Sequence, residues 1–255
     1  MERRSLLFQL VRRDFQQRFV GSTIGWIWGL IHPLVLLLSW VYVFEVWMHQ
    51  SAPYGIPYSL FIFSGMLPWL LFSDTVQRSA ASLLDHANLI TKSVFPSEIV
   101  PLSVFLSTLV SHLLAMLLMI GGVILALHTF SAELLLLPFY MFLVGLFSVG
   151  LGWVMAGLNV FLRDTAQFVS VALTFWFWMT PIMISEQKAP KIPLVHWLLA
   201  ANPMTYAVRV YRSALLPHHW AAPADVAILA ASSGTVFVVG GLFFRYLKRG
   251  FADVL

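Results

Sequence analysis

At 255 residues, with 60% hydrophobic and 10% charged residues and a mean hydropathy of +0.85, the chain is far more apolar than a water-soluble domain, for which about 45–50% and about 25% are usual. One soluble domain of this size cannot bury so many apolar helices on every side, so lipid has to be the solvent. A net charge of +4 raises nucleic acid as a partner, but the basic residues are scattered between apolar runs, which argues against one; the absence of cysteine excludes disulfides, a thiolate nucleophile and thiolate metal sites.

The N-terminus, "MERRSLLFQLVRRDFQQRFV", is not a secretory signal, because Arg12, Arg13 and Asp14 interrupt its apolar core and no small-residue cleavage site follows. Leu7, Val11, Phe15 and Phe19 recur every four residues, with Arg12, Arg13, Gln16, Gln17 and Arg18 between them. That spacing predicts an amphipathic helix over 4–20 lying in the headgroup plane, Phe15 in its apolar stripe and Arg12, Arg13 and Arg18 among lipid phosphates. The plainer alternative is a basic flank that only sets topology. Gly21, Gly25 and Gly29 in "GSTIGWIWG" form a small-residue ridge for close helix packing.

Crossing the hydrocarbon takes ~20 apolar residues in a helix. Six runs qualify: 26–48, 58–78, 99–127, 134–162, 166–184 and 225–247. The fold class expected is an all-α polytopic membrane protein forming a single domain over 1–255. An even number of spans places both termini on one side. That side collects Arg3, Arg4, Arg12, Arg13, Arg18, Arg78, Lys92, Arg163, Arg245, Lys248 and Arg249, so it is expected to be cytoplasmic.

Two connections exceed what a simple reversal needs. Residues 82–95 read as a short helix closed by "VFP"; Ser97 and Glu98 then start the next span, with Pro96 and Pro101 fixing its exit. A stiff lever of this kind suits a push from a soluble partner. Residues 192–216 hold two short apolar pieces split at Asn202–Pro203, too short to cross and therefore expected to form a re-entrant helical hairpin. Arg209 and Arg212 on its second piece could meet an anionic headgroup or outgoing anion, or simply anchor the helix at the outer interface.

Of the ionisable residues inside the runs, Glu45 and Asp74 lie near span ends and suit structural pairing. His32 and His112 are deeper and suit helix-packing hydrogen bonds better than a proton relay. A membrane-embedded lipid- or sugar-modifying enzyme would need a nucleophile with its base, a metal cluster or paired carboxylates. The sequence has no HExxH, no GxSxG and only an isolated His218–His219 doublet, so neither catalytic nor metal-binding residues are assigned. A proton-coupled transporter would call for internal repeats and mid-span acids, and neither is convincing. A phosphate loop of the form GxxxxGK followed by Ser or Thr is also missing.

Four motifs in order, "VRRDFQQRFVGSTIGWIWGLIHP", "NLITKSVFPSEIVPLS", "FLRDTAQF" and "NPMTYAVRVYRSALL", resemble the permease subunits of ABC-2 type polysaccharide exporters. These are the membrane halves of O-antigen transporters, related to capsule and teichoic-acid exporters. The resemblance covers nearly the whole chain, and "KSVFPSEIVPLS" is closer to the O-antigen and teichoic-acid branch. It implies a homodimer in a bacterial inner membrane that moves a lipid-linked polysaccharide, driven by two copies of a separate nucleotide-binding subunit. ATP and Mg would be held by that partner and no cofactor by this chain. It implies a coupling helix with Leu83, Asp85, His86, Asn88, Leu89, Lys92 and Phe95 as contacts, and an outer gate containing Asn202, Pro203, Arg209 and Arg212. Spans one and five border the conduit in that family, so Tyr42, Trp47, Phe175 and Trp178 are expected in a sugar-facing wall; an interfacial aromatic belt is the competing explanation.

Overall fold

The structure, a computed structural model, describes residues 3–17, 27–50, 52, 55–92, 95–129, 131–184, 186, 192–217 and 220–254. The described residues are helical nearly throughout, in the order α1 (Arg3–Gln17), α2 (Trp28–Trp40), α3 (Tyr58–Asp85), α4 (Ala87–Lys92), α5 (Ile99–Leu127), α6 (Leu137–Phe161), α7 (Thr165–Met179), α8 (Pro193–Ala201), α9 (Pro203–Leu215), α10 (Pro223–Leu247) and α11 (Phe251–Val254). A π-helical stretch, Val41–Trp47, prolongs α2, and a 3-10 turn, Ala132–Leu136, leads into α6.

Five stretches are long and apolar enough to cross a membrane: Trp28–Trp47, Tyr58–Asp85, Ile99–Leu127, Ala132–Phe161 and Pro223–Gly250. The chain is a polytopic membrane protein. The fifth expected span, 166–184, differs. Its helix α7 has 15 residues and stops at Met179, so it is about 22 Å long against about 30 Å of hydrocarbon. Thr180 leaves helical geometry, and non-helical backbone follows to Ile184.

The second span departs in the other direction. No proline or glycine interrupts Arg78–Asp85, so α3 runs on past residue 78 and ends only at His86, whose φ of −113° and ψ of 16° break the helix. The short helix expected over 82–95 shrinks to α4, and Leu83 and Asp85 belong to the tail of α3.

Helix α3 is the central post, packed against α5, α6, α7 and α9, and most of its residues are buried. Without a hydrophobic driving force between helices in lipid, such packing relies on close van der Waals fit. The closest approach is between α6 and α10. A Cβ at Gly150 would lie 2.6 Å from the Val236 carbonyl oxygen, and one at Gly240 would collide with the Gly150 backbone. Of the expected ridge, Gly21 and Gly25 lie outside the described residues.

One end of the bundle gathers α1, α4 and the C-terminal turns. The other gathers the α2–α3 connection, the Ala132–Leu136 turn and the α8–α9 hairpin. There Glu45 Oε1 accepts from the Ser59 amide at 2.8 Å, and buried Glu133 accepts from Tyr140 at 2.9 Å and from the Ala221 amide.

Candidate functional site

At the α4 end the seven expected contact residues divide. Asp85, Asn88 and Leu89 are exposed, while Ile90 turns inward. His86 is partly buried and closes α3, its Nδ1 lying 2.9 Å from the Ser82 carbonyl. Leu83 is fully buried and Phe95 packs on the same interior cluster, so neither is presented to a partner. The backbone of Lys92 ends α4; its side chain lies outside the described residues. Of the seven, Asp85, Asn88 and Leu89 are the ones whose described side chains are exposed.

Beside this end, α1 is fastened to the bundle. Leu10 is buried, Phe15 is half-buried, and Arg12 and Arg13 are exposed, the polarity an interface helix needs. Arg18 lies outside the described residues. Both Asp14 carboxylate oxygens accept from Arg78 Nη2 at 2.6 Å, Arg78 Nη1 donates to Thr108 Oγ1 at 3.3 Å, and Thr108 donates to Asp74 Oδ2 at 3.3 Å. In the sequence Asp14 counted only as an interruption of an apolar run. Its role follows from its being the one acid in a basic helix, opposite an arginine inside a span.

A half-open cavity of about 650 Å³ lies between α2, α3, α5 and α7, with His32, Trp69, Asp74, Gln77, His112 and Phe177 among its walls. The Trp69 and Phe177 rings meet edge to face at 5.6 Å, and Gln77 Nε2 donates to the Ala166 carbonyl at 3.2 Å. His112 Nε2 shares a hydrogen bond with the Tyr211 hydroxyl at 3.3 Å, the packing role expected for a deep histidine. The four aromatics expected in a sugar-facing wall do not line this cavity. Tyr42, Trp47, Phe175 and Trp178 are 56%, 74%, 68% and 71% exposed, on the outer flanks of the first span and α7. Trp47 Nε1 donates to the Tyr42 hydroxyl at 3.1 Å. Helical spacing within "FWFW" explains the split: Phe175 and Trp178, three apart, share the outer face while Trp176 and Phe177 turn inward. Trp69 and Gln77 were missed because nothing in a long apolar run distinguishes them before the packing is known.

The hairpin at the other end forms as expected, with α8 exposed and α9 almost entirely buried against α3. Asn202 is the joint. Its Oδ1 accepts from the Met204 amide at 3.0 Å and from Trp176 Nε1 at 2.8 Å, while its Nδ2 donates to Thr180 Oγ1 at 3.0 Å. Pro203 starts α9 in its first turn, where a missing N–H does no harm.

The two arginines do not stand free toward an outer anion. Arg209 Nε and Nη2 donate to the two oxygens of Glu186, and Nη1 donates to Asp225 at 2.9 Å. The Glu186 hydrogen bonds push its pKa above the ordinary arginine value despite partial burial. The Arg212 guanidinium is buried 3.8 Å from the centre of the Phe61 ring and donates to the Ile182 carbonyl; a Cβ at Gly65 would lie 2.9 Å from its Nη2. Arg209 is thus held by its ion-pair partners and Arg212 by burial.

Comparison with known proteins places this geometry. The model for "ABC-2 type transporter" matches residues 5–216. An O-antigen export system permease protein RfbA from Myxococcus xanthus is 30% identical over 98% of this chain and 95% of its own length. A namesake from Klebsiella pneumoniae is 26% identical over the same shares. The polysialic acid transport protein KpsM of Escherichia coli is 22% identical over 92% of this chain and 91% of its own. With a family model spanning most of the chain and relatives aligned end to end, the protein belongs to the ABC-2 type transporter family.

Proposed function

We propose that this chain is the permease subunit of an ATP-driven exporter that moves a lipid-linked cell-envelope polysaccharide, of the O-antigen class, across a bacterial inner membrane. The observation that carries the reading is the end-to-end match to relatives named for O-antigen export. Both termini and α4 face the cytoplasm in this reading. Exposed Asn88 and Leu89 on α4 meet a separate nucleotide-binding subunit, which holds ATP and Mg, and α7 completes six spans despite its length. Two copies of the chain, each with one motor, enclose the conduit. The exposed aromatic flanks of the first span and α7 make an apolar wall with few fixed polar contacts, suited to a sliding sugar polymer. A capsular or teichoic-acid cargo is the alternative, with the match to KpsM in its favour at lower identity.

Deleting the gene in its host and measuring surface polysaccharide by class tests the cargo. Loss of O-antigen alone is the expected result, and loss of capsule with O-antigen intact overturns it. Reconstituted alone in vesicles, the chain should move no polysaccharide on addition of ATP, and transport should begin only with the motor subunit. Unaided transport overturns the division of labour.

A further inference from the structure

The cytoplasmic ends of the helices form a small interior of their own, separate from the main core. Leu83 of α3, Val100 of α5, Ala156 and Val160 of α6, Phe244 of α10 and Phe251 of α11 are its buried members, and Ile90 of α4 and Phe95 pack onto it. Phe251 is only 2% exposed, in a helix of four residues at the chain's end. Here the ring packs at 5.5 Å from Phe244 and 6.0 Å from Phe161. A second tie lies alongside. Lys248 Nζ sits 2.8 and 2.9 Å from the two oxygens of Glu98, in the turn between α4 and α5, and the Glu98 carbonyl accepts from Trp153 Nε1 at 3.0 Å.

We propose that the C-terminal turns, from Lys248 to Val254, are a working part of the coupling device. Phe251 completes the socket on which α4 rests, and Lys248 links the turn after α4 to α10. The inference rests on the exporter reading above. Loops alone would pass a displacement of α4 only to α3 and α5, its neighbours along the chain. A close-packed socket resists compression and transmits strain, and this one joins α4 to α6 and α10 as well. Helix α10 has 25 residues and is therefore about 37 Å long. At its far end, Asp225 holds Arg209 of the outer hairpin at 2.9 Å. One rigid helix thus connects the motor side to the outer hairpin.

The test uses the full complex of permease and motor subunit, with Phe251→Ala, Phe251→Leu, Glu98→Lys, Lys248→Glu and the Glu98→Lys/Lys248→Glu swap. The sequence has no cysteine, so Trp197→Cys on exposed α8, labelled before the motor subunit is added, carries one environment-sensitive fluorophore per copy of the chain. In Phe251→Ala and in each charge reversal the motor should still co-purify and hydrolyse ATP, while export falls at least about tenfold and the ATP-dependent fluorescence change disappears; each tenfold step corresponds to about 1.4 kcal/mol. Phe251→Leu and the swap should recover both. Unchanged export in the alanine variant, or export lost together with motor binding, overturns the proposal. If Phe251→Ala fails to accumulate, the partly exposed charge pair decides: single reversals that export normally, or a swap that does not recover, overturn it. Wild-type complex that exports no polysaccharide defeats the exporter reading itself, a result separable from any variant.

Discussion

Asp14 and Arg78 stand 64 positions apart in the chain, yet both carboxylate oxygens of the first lie 2.6 Å from one guanidinium nitrogen of the second. The pair converts a surface helix into a docked one. Its side chains are 15% and 26% exposed, between an exposed pair, at about 0–1 kcal/mol, and a fully buried one, at about 3–5 kcal/mol when broken. Asp14→Asn should therefore lower stability by about 1–3 kcal/mol and make α1 sensitive to protease in detergent. Arg78→Gln should have a similar effect, and the double variant should lose less than the sum of the singles. Additive losses would show that the pair is not coupled.

Glu98 gives a pH dependence with a defined sign. Partial burial acts to raise its pKa, but the hydrogen bond and charge of Lys248 outweigh it, and the carboxyl sits below its ordinary value of 4.5. A depressed folded-state pKa adds stability that is fully present above the unfolded value and lost as pH falls through the folded one. The melting temperature of wild type should exceed that of Glu98→Gln by a constant margin from about pH 7 down to about 4.5, and the margin should shrink below that. A margin that grows on acidification contradicts the assignment.

Asn202 satisfies four groups with one amide, and its loss should be correspondingly severe. Removing a helix N-cap costs about 0.5–2 kcal/mol, and an indole N–H left without its acceptor adds about 1–3 kcal/mol. Asn202→Ala should destabilise the protein by about 2–4 kcal/mol on these grounds. Asn202→Ser keeps a cap acceptor for Met204 without burying a charge and surrenders the contacts to Trp176 and Thr180, so it should be milder. Thermal denaturation in detergent ranks the three proteins; equal losses in both variants would show that the cap contributes little.

This joint also shows how far sequence reasoning reaches. Asn202–Pro203 was legible because proline restricts the residue before it, a rule that needs no tertiary information. The hairpin, the long helices and the amphipathic N-terminus were legible for the same reason: each rests on local spacing. The tail of α3 was misread because residues 79–81 were taken for a break between the span at 58–78 and a separate helix at 82–95, although every residue there tolerates a helix. Arg209 and Arg212 were legible on the second piece of the hairpin, but periodicity cannot reveal that Glu186 and Asp225 come to meet the first or that Phe61 and Gly65 make room for the second. The cavity escaped for a related reason, since its polar residues come from four separate helices.

The α6–α10 crossing can be probed with a built-in control. At Gly240 an added Cβ strikes the Gly150 backbone, which cannot yield without separating the helices, whereas at Gly234 nothing lies within 4 Å. Gly240→Ala should cost about 1–3 kcal/mol through overpacking and reduce accumulation in the membrane. Gly234→Ala should be neutral or slightly stabilising, given alanine's advantage of roughly 1 kcal/mol inside a helix. Quantitative blotting of membranes and melting curves read both; equal accumulation of the two variants would contradict the close approach.

The aromatic wall makes the sharpest distinction between folding and transport. Trp178 is 71% exposed and Trp47 is 74% exposed, so truncating either leaves no hole in the protomer and should barely move its melting temperature. If those flanks face the polymer, Trp178→Ala and Trp47→Ala should lower export several-fold at unchanged protein level. Trp69 is 5% exposed, with its ring against Phe72 and Phe177. Trp69→Ala opens a cavity in packed protein, a change worth about 3–5 kcal/mol in soluble cores, and should reduce protein level and export together. Export per molecule separates the cases: it should fall for Trp178→Ala and Trp47→Ala and hold for Trp69→Ala. Unchanged export per molecule in both surface variants would turn those aromatics toward lipid or a second copy and move the sugar contacts to the cavity between α2 and α7.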